Sequence, residues 1–89
     1  TIPGKLQSYL ACGRPIIGSL DGIGAEIINK SCCGFTANAE SVEELVDAII
    51  RLYNLSDDDR IALGNNGRAY FEREFEREIL LDRLENILH

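Results

Sequence analysis

Thr1-Ile-Pro-Gly-Lys-Leu-Gln-Ser-Tyr-Leu-Ala-Cys-Gly-Arg-Pro-Ile-Ile-Gly-Ser19 opens the chain and decides how the rest is read. The stretch spells a loop, a short helix, a tight turn and a buried strand. Pro3 suits the approach to a helix, where its missing N–H costs nothing. Leu6, Tyr9, Leu10 and Ala11 fall on one face at helical spacing. Gly13 suits the left-handed position after a helix, and Pro15 forbids continuation. Ile16-Ile17 then begins an apolar run of the kind buried on both faces of a sheet. The helix start holds Gly4 and Lys5 and no acid. Free backbone N–H groups, the positive end of the helix dipole and an ammonium coincide there, which is chemistry for an anion.

Working outward, Ser19-Leu-Asp-Gly-Ile-Gly-Ala25 is a glycine-punctuated loop into a helix over 25–30, with Ile23, Ile27 and Ile28 expected to face inward. Gly34-Phe-Thr-Ala37 is a second strand. Strand, helix, strand in that order implies a parallel crossover. Ser41 and Glu44 form a capping-box pattern ahead of a helix to about Asn54, whose stripe is Val42, Leu45, Val46, Ile49, Ile50 and Tyr53. Ser56 can cap the next helix, and Asp57, Asp58 and Asp59 load its first turn against the dipole. That helix is expected to run on through Gly64-Asn-Asn-Gly67, the small residues permitting close packing although each glycine costs about 1 kcal/mol of propensity. Glu72 to Glu78 alternates sign as a solvated face. A last amphipathic helix is expected over 76–88, with Ile79, Leu80, Leu81, Leu84, Ile87 and Leu88 needing a partner. The fold class is therefore α/β, with two short parallel strands, about five helices and a helix-rich C-terminal end. Two strands are few for a parallel sheet, so the chain reads as part of a larger domain.

Composition narrows the function. Eighty-nine residues make one small domain at most, and 45% hydrophobic content argues against a disordered tail. The net charge of −6 lies mostly after residue 40, which argues against a nucleic-acid partner. No apolar run approaches the length of a membrane span, and no signal peptide is apparent, so the expected location is cytoplasmic. Cys12, Cys32 and Cys33 lack zinc-site spacing, and the one histidine is terminal His89. The three thiols are expected to be reduced and mostly buried, with no metal. A hydrolytic triad has no base, a P-loop is absent, and Gly22-Ile-Gly24 is only part of a dinucleotide fingerprint. No catalytic residue is assigned. What remains is ligand binding at helix starts, with Gly4, Lys5, Ser8 and Glu26 as candidates. Lys5 could hold a phosphate as a point charge. Ser8 and Glu26 could meet a hydroxyl, although Glu26 is also simply favourable near its helix start. Arg14 beside a helix C-terminus needs no ligand to explain it.

The run from Pro3 to Ile17, followed by Gly22-Ile-Gly-Ala-Glu26-Ile-Ile and the closing Arg77-Glu-Ile-Leu-Leu-Asp-Arg-Leu84, resembles the nucleotide-sugar-binding segment of GT-B glycosyltransferases of the group 1, family 4 type. The resemblance covers essentially the whole chain. The Pro-Gly-Lys-x-Gln-Ser-Tyr variant looks closest to bacterial L-fucosamine transferase-like enzymes, which build surface polysaccharides such as O-antigen or capsule. It implies that residues 1–89 are part of a Rossmann-like C-terminal donor domain, with the N-terminal acceptor domain and the start of this domain absent. It implies a nucleotide-diphosphate sugar, UDP-linked, as donor substrate, and no other cofactor. Lys5 would lie near the diphosphate. The family's ribose-binding acid aligns with Ser8, a departure that leaves a hydroxyl or Gln7 in its place, and Glu26 aligns with a loop-helix glutamate. The last helix would return toward the N-terminal domain, and in its absence the chain would self-associate there. In the full-length protein the resemblance implies a location at the inner membrane periphery. The alternatives are a Rossmann-like phosphate- or nucleotide-binding module of a non-transferase protein, or a helical interaction domain in which Pro-Gly-Lys is only a helix start.

Overall fold

The computed structural model describes residues 4–88, so the expectations for Pro3 and His89 lie outside the described residues. Six elements follow one another: α1 (Gly4–Ala11), β1 (Ile16–Ser19), α2 (Ile23–Ser31), β2 (Gly34–Ala37), α3 (Val42–Asn54) and α4 (Asp57–Leu88). β1 and β2 pair in parallel, Ile16 opposite Gly34 through Ser19 opposite Ala37, with α2 as the crossover. Glycine begins β2 for a steric reason, since a Cβ at Gly34 would run into the Ile16 carbonyl. The result is a helix-rich α/β arrangement with two short parallel strands, as the sequence implied.

The core lies between β1 and the helices α1, α2 and α4. It contains Leu6, Leu10, Ile16, Ile27, Ile28 and Cys33, with Leu20, Tyr70 and Phe71 packed against it. Leu10, Ile28 and Cys33 are fully enclosed. Two residues expected inside are not. Tyr9 is 56% exposed and Ile23 is 59% exposed: α1, packed on α4, turns Leu6 and Leu10 inward, and α2 turns Ile27 and Ile28 inward.

The caps of α3 and α4 follow the sequence. Ser41 Oγ accepts from the Glu44 N–H at 3.2 Å, and Ser56 Oγ accepts from the Asp59 N–H at 3.1 Å. The return arm of the capping box is redirected. The Glu44 carboxylate takes the Asn38 backbone N–H at 3.1 Å and its side-chain amide at 2.8 Å, pinning the loop after β2. The expected burial of the α3 stripe is overturned: Val42, Val46, Ile49, Ile50 and Tyr53 are all exposed, and Ala48 is the buried residue. α3 packs chiefly on the two strands. A pair of four-residue strands is too narrow to cover a helix face more than 100° wide.

The two C-terminal helices expected from the sequence are one. α4 runs 32 residues without a break, about 48 Å at 1.5 Å per residue, and sets the 51 Å long dimension. Gly64 and Gly67 lie inside it, and both are buried. A Cβ on Gly64 would collide with the Gly13 carbonyl, and one on Gly67 would lie 3.0 Å from Cys33 Cβ and 3.3 Å from Leu10 Cδ2. The close packing that the small residues permit is thus present. Ile79, Leu80, Leu81, Leu84 and Ile87 on the last turns are exposed.

The thiols differ from expectation. Cys12 and Cys32 are exposed and only Cys33 is buried. Cys32 is the left-handed residue closing α2 (φ 56°), so its side chain points outward. No helix among the described residues is long and apolar enough to cross a membrane.

Candidate functional site

Parallel pairing fixes where the helix starts fall. β1 and β2 end at Ser19 and Ala37, and α2 begins just beyond β1. α1 packs along α4, and its first turn borders the cleft that the residues of β1 line. The structure therefore gathers two helix N-termini at the carboxyl ends of the strands, the position where open α/β sheets take ligands.

At that edge Lys5, Leu6 and Tyr9 of α1 face Ile16 to Leu20 and, across them, Gly24 and Ile28 of α2. They enclose a cleft of about 340 Å³ with largely apolar walls. Leu20 lines it because Gly18 and Gly24 have no side chains. A Cβ on either would strike the Leu20 side chain. Lys5 is exposed at the rim, and the first turn of α1 carries no acid to neutralise it. Gly22 precedes α2 at φ 76° and ψ −144°, a backbone setting that favours glycine, and no side chain caps that helix. α3 and α4, by contrast, start under serine caps. The edge thus offers an ammonium, backbone donors and an apolar wall for a planar or aliphatic group.

Of the candidates from the sequence, Gly4 is the first residue of α1 and Lys5 lines the cleft. Ser8 is exposed on α1 but does not line the cleft. Glu26 is exposed on α2 and opens elsewhere. It borders a polar recess of about 350 Å³ with Asp21, Asn29, Thr36, Asn38 and Glu44, and a second of about 250 Å³ with Lys30, Tyr70, Glu74 and Arg77. The structure does not bring Glu26 to Lys5. The sequence reading missed Leu20 and Gly24. The available signal was the second glycine of Gly22-Ile-Gly24, one residue into a helix and therefore a packing residue.

At the opposite edge α4 meets the ends of α1 and α2, beside an open recess of about 570 Å³ lined by Cys12 to Pro15, Asp57, Arg60 and Ile61. Asn66 Nδ2 donates to the Cys32 carbonyl at 2.9 Å, at the end of α2. Arg68 Nη1 donates to the Ala11 carbonyl at 2.7 Å, at the end of α1. Arg14 is exposed in the turn after α1, and Arg68 supplies a hydrogen bond to that terminus. Cys33 sits between these helix ends. Burial pushes its thiol above the ordinary value, against a smaller opposing effect of the Ser31 hydroxyl, which donates to its Sγ at 3.1 Å. Burial followed by the Glu74 charge likewise raises Tyr70. Among the described residues no group of three or more His, Cys, Asp or Glu side chains could hold a metal ion.

Over 80 residues, 88% of its length, the chain is 36% identical to the GDP-mannose-dependent monoacylated alpha-(1-6)-phosphatidylinositol monomannoside mannosyltransferase of Corynebacterium glutamicum. It spans 20% of the length of that relative. No family model matches the chain, and no solved structure does.

Proposed function

We propose that this chain is the donor-binding portion of a glycosyltransferase and that the cleft beside Lys5 takes a nucleoside-diphosphate sugar. The observation that carries the reading is the meeting of the α1 start, with its lysine and no acid, and the α2 start around one cleft at the carboxyl ends of parallel strands. The similarity to a mannosyltransferase over most of the chain supports the same class. The diphosphate would lie at the α1 N-terminus against the Gly4 and Lys5 backbone and the Lys5 ammonium, as anions do at helix starts. The apolar wall of Ile16, Leu20 and Ile28 would exclude water from one side of it. Ser8 and Glu26 lie away from the cleft, so the ribose and sugar contacts assigned to them by resemblance require the donor to reach past its rim.

The donor remains to be divided between two readings. The Pro3-Gly-Lys5 variant resembles enzymes that use UDP-linked L-fucosamine for surface polysaccharide, whereas the relative is named for GDP-mannose. Both share the nucleoside diphosphate. The acceptor and the residues that activate it would be supplied by an N-terminal domain packed across this edge. Calorimetric titration of the chain with UDP, GDP and inorganic phosphate tests the proposal. Binding of a nucleoside diphosphate well above phosphate is expected, and Lys5→Ala should weaken it roughly five-fold, about 1 kcal/mol. Equal affinity for phosphate and for both nucleotides would instead favour a general phosphate-binding module.

A further inference from the structure

α1 has only eight residues and no basic residue in its last turn. The cation that meets its terminal carbonyls comes from 57 positions further along the sequence, where Arg68 Nη1 donates to Ala11 O at 2.7 Å. That guanidinium is itself held, its Nε donating to Glu72 Oε1 at 2.7 Å one turn along α4. Around it the backbones are locked. Gly13 turns the chain at φ 68° with its carbonyl against Gly64, and Leu10 packs on Gly67. α1 is therefore anchored at its C-terminal end by a charged hydrogen bond, a backbone contact and a buried leucine. Toward its N-terminal end the buried side chain is Leu6.

Lys5 lies six residues before Ala11, about 9 Å along the axis. A tilt of about 10° at the anchored end would swing the Lys5 backbone by roughly 1.5 Å, and displacements near 1 Å are enough to degrade a positioned charge. We infer that Arg68 is a positioning residue for Lys5: by fixing the carboxyl end of α1 it sets where the helix start and its ammonium meet the ligand. This rests on the reading of the cleft as a nucleoside-diphosphate site. It also gives Gly64-Asn-Asn-Gly-Arg68 one role, since Asn66 does for the end of α2 what Arg68 does for the end of α1.

The test is a mutant cycle on the full chain, titrated calorimetrically with GDP and UDP, with thermal unfolding and ligand-free amide spectra recorded on each variant. Arg68→Ala should weaken binding of the preferred nucleotide about five-fold. It should also shift the Lys5 and Leu6 amide resonances without ligand. Arg68→Lys should restore most of the affinity. In the Lys5→Ala background the Arg68→Ala change should weaken binding by clearly less than five-fold, because part of its effect acts through the Lys5 ammonium. Unchanged affinity in Arg68→Ala, unmoved Lys5 and Leu6 resonances, or losses that multiply in the double variant would overturn the inference. A wild-type chain that binds neither nucleotide would overturn the reading of the cleft instead, while the ligand-free spectra still decide whether Arg68 places α1. Should Arg68→Ala fail to fold, Arg68→Met, which keeps the aliphatic stem and removes the donor, is judged by the same criteria.

Discussion

The two edges of the strand pair are finished in opposite ways. At the amino ends the termini of α1 and α2 receive hydrogen bonds from Arg68 and Asn66, Gly64 meets the Gly13 backbone and Gly67 meets the buried thiol of Cys33. At the carboxyl ends α2 starts under an uncapped glycine, and Lys5 stands at the rim of an apolar cleft. One edge ties its helix ends to α4 and the other leaves a helix start uncapped beside an exposed lysine. The contrast teaches where to look for stability and where for binding, and it can be broken by substitutions that ought to affect only one of the two.

The largest effect is expected at the edge tied to α4. Leu10→Ala empties a fully enclosed site and should destabilise the chain by about 3 kcal/mol in denaturant unfolding. Gly64→Ala forces a methyl group against backbone and should cost about 2 kcal/mol even after its gain in helix propensity. Gly67→Ala, facing side-chain atoms at 3.0 Å and 3.3 Å, should lie much nearer neutral, because those atoms can give way. Were the two glycine variants equally stable, the backbone contact between α4 and the turn after α1 would be wrong.

Smaller effects separate caps and charges. Ser41→Ala should cost about 1 kcal/mol through the lost bond to the Glu44 N–H. Lys5→Ala, at the open edge, should change stability by no more than about 0.5 kcal/mol while it weakens nucleotide binding. A large loss of stability there would make Lys5 a structural residue and erase the contrast.

The thiols give a chemical version of the same test. In the folded chain Cys12 and Cys32 should react with a disulfide reagent at once, and Cys33 only on unfolding. Since burial raises the Cys33 pKa, both folded and unfolded states keep that proton below the ordinary value of 9.0. Above it the unfolded chain ionises first, so stability should fall as pH rises from there toward the raised native value. A rise in stability over that window would contradict the burial of Cys33.

Much of the architecture was legible from local chemistry. Ser41 and Ser56 cap their helices as read, the strands run where Ile16-Ile17 and Gly34-Phe35 placed them, and the glycines within α4 do permit close approach. What was not legible depended on neighbours. The stripe on α3 is written for a partner wider than two short strands, so its periodicity located the helix without its burial. The alternating charges of Glu72–Glu78 read as a solvated face, which they are, but the separate last helix expected from about 76 is not separate, because acids and arginines are good helix formers and α4 passes through them. Arg68 could not be matched to Ala11 by spacing, because the pairing exists only once α4 lies along α1. The open edge was half legible: Lys5 at a helix start was visible, whereas Leu20 nested against two glycines was not.

The most direct test of the account is an amide-shift titration of the full chain with GDP and with UDP, read residue by residue. Saturable shifts are expected to concentrate in residues 4–9 and 19–24 and to be lost in large part in Lys5→Ala. Shifts absent there, or centred on the opposite edge around Cys12 to Pro15, would contradict the account.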